Sequence, residues 1–122
     1  MKKIIRGYVA AYNNFDVPGM IRHLSDDIVF QNVSGGEVTL ELTGKDAFRE
    51  QAEQASKLFK SRKQTIDDIQ ILDNVAEVLI NYEGVLAQDL PNGLKAGDLL
   101  RLQGKSVFTF LKNKIVKLRD ES

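Results

Sequence analysis

The stretch Leu-Arg-Leu-Gln-Gly-Lys-Ser-Val-Phe-Thr-Phe-Leu-Lys-Asn-Lys-Ile-Val-Lys-Leu-Arg-Asp, Leu100 to Asp120, decides the fold. Leu100 to Leu111 reads as one long strand. Lys112-Asn113-Lys114 is a turn, and Ile115 to Asp120 is the strand that returns. Working back, Pro91-Asn92-Gly93 is a second turn. Before it, Val78, Ile80 and Tyr82 alternate with Glu77, Leu79, Asn81 and Glu83. Asp73-Asn74 is a turn signal, and Ile69 and Ile71 alternate within Thr65 to Leu72. The second half of the chain is therefore predicted to be four strands joined by short turns.

The first half has a different period. Ile4, Ile5, Tyr8, Ala11, Tyr12 and Phe15 recur at three- and four-residue spacing, which predicts an amphipathic helix. Asp16 is placed to cap a short second helix carrying Val17, Met20, Ile21 and Leu24. Pro18 is tolerated in its first turn, where N–H groups lack helical partners. Ile28 to Val33 is β-prone and closes on Ser34-Gly35-Gly36. Val38, Leu40 and Leu42 then alternate with polar residues, so a hairpin is expected at the two glycines. Thr43 is expected to cap a third helix, with Asp46 three residues on as in a capping box. Phe48, Ala52, Ala55 and Phe59 would form its apolar face. Lys57, Lys60, Arg62 and Lys63 gather at its end; they read as cations at the negative end of the helix dipole, with an anion site as the alternative. The order predicts an α+β fold: helices packed on one face of a curved antiparallel sheet.

Composition sets the limits. A chain of 122 residues is expected to be one domain, residues 1–122. Seventeen Lys and Arg balance seventeen Asp and Glu, so the chain lacks the basic footprint of a nucleic-acid binder or a membrane-surface protein. No apolar run approaches the roughly 18 residues of a membrane helix. Only Ile4 and Ile5 follow Lys2-Lys3 before Arg6, too short for a secretion leader, so a cytoplasmic protein is expected. There is no cysteine and one histidine, His23. Thiolate chemistry and a three-histidine metal site within one chain are excluded, and no metal site is expected.

Four stretches carry a family resemblance: Tyr8 to Asp16 (Tyr-Val-Ala-Ala-Tyr-Asn-Asn-Phe-Asp), Leu24 to Phe30 (Leu-Ser-Asp-Asp-Ile-Val-Phe), Leu42 to Arg49 (Leu-Thr-Gly-Lys-Asp-Ala-Phe-Arg) and Asn113 to Asp120 (Asn-Lys-Ile-Val-Lys-Leu-Arg-Asp). In this order and spacing the chain resembles the nuclear transport factor 2-like superfamily, in particular its SnoaL-like and ketosteroid-isomerase-like members. The resemblance implies a cone: a curved sheet wrapped around three helices, with a pocket at the open end and a homodimer through the outer sheet face. Alternation then puts Ile80, Tyr82, Ser106, Phe108, Phe110, Val116, Leu118 and Asp120 on the inner face. Val107, Thr109, Lys117 and Arg119 fall on the outer one.

The resemblance also implies roles. Tyr8 falls where ketosteroid isomerases carry their oxyanion-donating tyrosine. Asn32 and Ser106 stand where those enzymes carry a carboxylate base and a protonated aspartic acid. A carboxamide has no useful basicity, so steroid isomerisation is disfavoured. SnoaL-like cyclases use a cavity aspartate as acid and base without metal or cofactor, and Asp120 is the residue for that role. Leu118 and Phe108 beside it are apolar enough to desolvate it. Tyr12, Phe30, Asn32, Tyr82, Ser106, Phe108 and Leu118 make up the expected substrate-binding lining. The expected ligand is a small apolar or carbonyl-containing molecule. A binding module without catalysis and a protein-interaction domain remain open, because one fold hosts many functions.

Overall fold

The computed structural model describes residues 1–122. The elements run α1 (Lys2–Asn13), α2 (Val17–Ile21), β1 (Leu24–Ser34), β2 (Glu37–Thr43), α3 (Lys45–Ser56), β3 (Phe59–Leu72), β4 (Val75–Leu86), β5 (Leu99–Leu111) and β6 (Lys114–Glu121). The strands form one sheet in the order β2-β1-β6-β5-β4-β3. The α+β class and the three helices packed against an open curved sheet agree with the sequence reading. The sheet is mixed, however, because β1 and β6 pair in parallel while every other neighbouring pair is antiparallel. Those two strands are distant in sequence, so no hairpin dictates their direction. None of the helices is long and apolar enough to cross a membrane.

Helix α1 buries Ile5, Tyr8, Val9 and Ala11. It stops at Asn13, whose side chain pairs with the backbone of β3. Asn13 Nδ2 donates to Gln64 O at 3.0 Å and Oδ1 accepts from Gln64 N at 2.7 Å. The amide thus ties the helix end to the edge of the sheet. Asp16 caps α2 as expected, accepting from Gly19 N at 3.0 Å. Gly35 and Gly36 both have positive φ, 58° and 85°, which is the turn pattern that matches the right-handed twist of a two-residue hairpin.

The start and end of α3 differ from expectation. Thr43 is the last residue of β2, and Gly44 (φ 96°) is the N-cap, with no side-chain cap bond. Asp46 meets Arg49 at 3.1 Å instead of closing a capping box. The helix ends at Ser56, so Phe59, Lys60, Arg62 and Lys63 belong to β3. The ladder from Phe59 opposite Leu86 to Leu72 opposite Val75 claims this segment. Local helical spacing loses to long-range strand pairing.

The core gathers where α1, α2 and α3 cover the inner sheet face; Ile5, Leu24, Ile28, Val78, Phe108, Ile115 and Leu118 are almost wholly enclosed. One inner-face expectation fails. A bulge sets Thr109 opposite Lys117 and Phe110 opposite Ile115, so Val116 is the extra residue and Ile115 fills the core. Beyond the bulge, Leu118 and Asp120 keep the expected side.

The end of β6 is held. Ser122 N donates to Val33 O at 2.9 Å, and Gly35 N donates to Ser122 O at 3.2 Å. At Gly104 a Cβ would stand 2.5 Å from Glu121 O, a backbone atom that has no flexible way to yield. Gly104→Ala is therefore expected to lower stability by about 1–3 kcal/mol, the usual cost of overpacking. A urea titration of the two proteins checks this.

Candidate functional site

The register of three strands builds the site. Asn32 on β1 lies opposite Asp120 on β6, and Ser106 on β5 lies opposite the same Asp120. Three polar side chains thus stand in a row across adjacent strands. Ser106 Oγ donates to Asp120 Oδ1 at 2.7 Å. Asp120 is half-buried, and burial pushes its pKa up to about 6. The Ser106 bond works in the opposite direction and is outweighed.

Tyrosines surround the carboxyl. Burial holds the Tyr8 hydroxyl well above its ordinary pKa, and the nearby Asp120 charge adds to this. Tyr8 therefore stays protonated and can only donate to an oxyanion. Its ring packs edge-on against Phe108 at 5.8 Å. Tyr12 Oη donates to Tyr82 Oη at 2.9 Å, and burial raises both pKa values.

Two cavities meet at this row. The inner one, about 140 Å³, is lined by Tyr8, Tyr12, Phe30, Asn32, Arg62 and Asp120, with Met20, Phe48, Gln51, Ala52 and Ala55. The outer one, about 240 Å³, has Tyr12, Asn32, Tyr82, Ser106 and Asp120 among its walls, with Phe59, Ile80, Leu100 and Leu102. Tyr12, Asn32 and Asp120 line both. Neither alone reaches the ~300 Å³ typical of a drug-sized ligand site. Larger depressions of about 500 and 540 Å³ lie elsewhere on the strands, and Asp120 lines neither.

The structure thus brings together Tyr8, Tyr12, Phe30, Asn32 and Asp120 around the inner cavity, and Tyr82 and Ser106 around the outer one. Phe108 and Leu118 line neither. They are 1% and 0% exposed and belong to the core beneath the row, closed over by the helices. His23 also lies apart. Its ring rests against Gly7 and its carbonyl accepts from Ile115 N, near the opposite end of β6 from Asp120. Burial, Arg22 and Lys114 lower its pKa, so it is neutral near pH 7. No three His, Cys, Asp or Glu side chains are grouped so as to hold a metal ion.

Sequence reasoning missed Arg62, Gln51 and Met20 as lining residues. Arg62 had a usable signal: it precedes Gln64 and Ile66 by two and four residues, which puts all three on one strand face. It is 6% exposed. Its guanidinium lies 3.7 Å from the Tyr12 ring centroid and 4.5 Å from that of Phe15, and Nε donates to Tyr12 O at 3.0 Å.

The raised Asp120 pKa fixes a sign for stability. The folded state binds this proton more tightly than the unfolded chain, so the contribution is full below about pH 4 and lost as pH rises through about 6. Ionised Asp120 then costs the fold on the order of 2–3 kcal/mol. Asp120→Asn is expected to raise the melting temperature at pH 7.5 by several degrees and to leave it nearly unchanged at pH 3.5. Thermal melts at the two pH values check this.

No curated protein matches this sequence. Solved structures match its fold. A provisionally named polyketide cyclase of Pseudomonas putida superposes with TM-score 0.74 at 21% identity, over 96% of this chain and 86% of that one. An LEH-like epoxide hydrolase of M. tuberculosis gives 0.77 at 15%, over 98% and 79%. A hypothetical protein of ketosteroid isomerase-like fold from Catenulispora acidiphila, in complex with trimethylamine, gives 0.78 at 12%, over 96% and 82%. At such identities these likenesses establish the fold alone. The profile of the SnoaL-like domain matches residues 5–118, nearly the whole chain, and the protein belongs to that family.

Proposed function

We propose that the protein binds a small carbonyl compound across the two cavities and that Asp120 transfers a proton at the carbon beside the carbonyl, without a cofactor. One observation carries this reading: a half-buried carboxyl, with one oxygen held by Ser106, lines the same space as Tyr8 and Asn32. Near neutral pH the carboxylate is mostly ionised and close enough to its pKa to act as base and then acid. It takes the α-proton. Negative charge moves to the substrate oxygen, where the Tyr8 hydroxyl and the Asn32 amide donate hydrogen bonds. Asp120 then returns the proton to carbon, giving an isomer, or to the oxygen of a second carbonyl that the carbanion has attacked, giving a ring. Polyketide cyclase in the name of one structural relative supports the second outcome.

The test is hydrogen–deuterium exchange at the α-carbon across a panel of small ketones and oxo acids, followed by NMR. A substrate is expected to exchange at a rate that rises with pH through about 6 and then levels. Asp120→Asn is expected to slow exchange by about 10²–10⁴-fold with folding intact. An unchanged rate in that variant rules out the base. Saturable binding with no exchange across the panel points to a binding module instead.

The same reading extends to assembly. A second copy would cover the outer sheet face, where Leu79, opposite Lys105, is 47% exposed and Leu99, further along β5, is 51% exposed. Sedimentation is expected to show a dimer that Leu79→Lys converts to monomer. A monomeric parent protein would end this part of the proposal.

A further inference from the structure

Arg62 is the one charged residue that is buried as a whole residue, and it makes no ion pair. A buried guanidinium is costly unless its charge and its five N–H groups are met. Stacking on Tyr12 and Phe15 and the Nε bond to Tyr12 O meet part of the demand. That carbonyl lies near the C-terminus of α1, where the helix dipole also favours a cation. The terminal Nη2 is buried and has no hydrogen-bond partner. Closing the helix end therefore accounts for one N–H and leaves the fork of the side chain unused.

Arg62 lines the inner cavity together with apolar Phe30, Phe48 and Ala52 and with Asp120. We propose that Arg62 anchors an anion subsite and that the inner cavity takes a ligand with a carboxylate on a small apolar body. A carboxylate matches a guanidinium bidentately, which a neutral amide cannot reproduce. The cavity is small, about 140 Å³, and Asp120 and Asn32 line the same space in which a ligand held at Arg62 would lie. Resting on the catalytic reading above, the inference narrows the substrate to a small oxo acid: carboxylate at Arg62, reacting carbonyl at Asp120.

Benzoate and benzamide, matched in shape and different in charge, are the probes. They are titrated into the full chain at pH 7.5 and followed by backbone and arginine ¹H–¹⁵N signals. Benzoate is expected to shift the Arg62 Nε signal saturably and to bind at least tenfold more tightly than benzamide. Arg62→Met, which keeps the stem, is expected to abolish that preference, and Arg62→Lys to retain part of it. Equal affinity for the two probes, no saturable shift with either, or a preference surviving Arg62→Met would overturn the subsite. An arginine kept only to close α1 predicts equal affinity, and the wild-type comparison reads this even where a variant fails to fold. In Asp120→Asn the benzoate preference is expected to persist, and its loss there would also overturn the subsite. Loss of proton transfer in that variant bears on the catalytic reading alone.

Discussion

β6, the last strand, is an interior strand, paired in parallel with β1 on one side and antiparallel with β5 on the other. The site depends on this placement. It puts Asp120 between Asn32 and Ser106 at one level of the sheet, where burial raises the pKa of its carboxyl. The bonds from Ser122 to Val33 and from Gly35 to Ser122 hold that strand to its end. Gly104 lets β5 pass within a Cβ's reach of the Glu121 carbonyl.

The same shell holds both of the protein's costly polar groups. Asp120 is desolvated with a single hydroxyl donor, and Arg62 is desolvated with aromatic faces and one carbonyl. Neither neutralises the other through a direct ion pair. Polar groups kept at such a cost are common where function opposes stability. The Tyr12–Tyr82 hydroxyl pair adds a further rigid element between the two cavities, since both rings sit in edge-on aromatic contacts.

Much of this was legible in the sequence, and the reasons are local. Tyr8 and Tyr12 share a helix face because they are one turn apart, and both reach the site. The Gly35-Gly36 hairpin follows from positive φ at two consecutive positions, which glycine alone adopts without strain. Asp16 caps α2 because its carboxylate reaches Gly19 N. Asp120, Asn32 and Ser106 were found through strand alternation joined to a family resemblance. Phe108 and Leu118 share their side of the sheet, but how far along the strand the helices close over it is not written in a period of two.

Thr43, Phe59, Arg62 and Val116 mark where local pattern gives way. Each looked plausible in its own window, and each was decided by pairing with residues far along the chain. Thr43 was taken by β2, Phe59 and Arg62 by the ladder with β4, and Val116 by a bulge against β5. By itself the sequence determined the class of the fold, the order of its elements and the residue types available for chemistry. These follow from hydrophobic period, turn chemistry and composition, which act over a few neighbouring residues. Tertiary structure alone decided that β6 would be central, that Asp120 would stand between Asn32 and Ser106 and that Arg62 would line a cavity. Desolvation and cross-strand register arise only when distant segments meet.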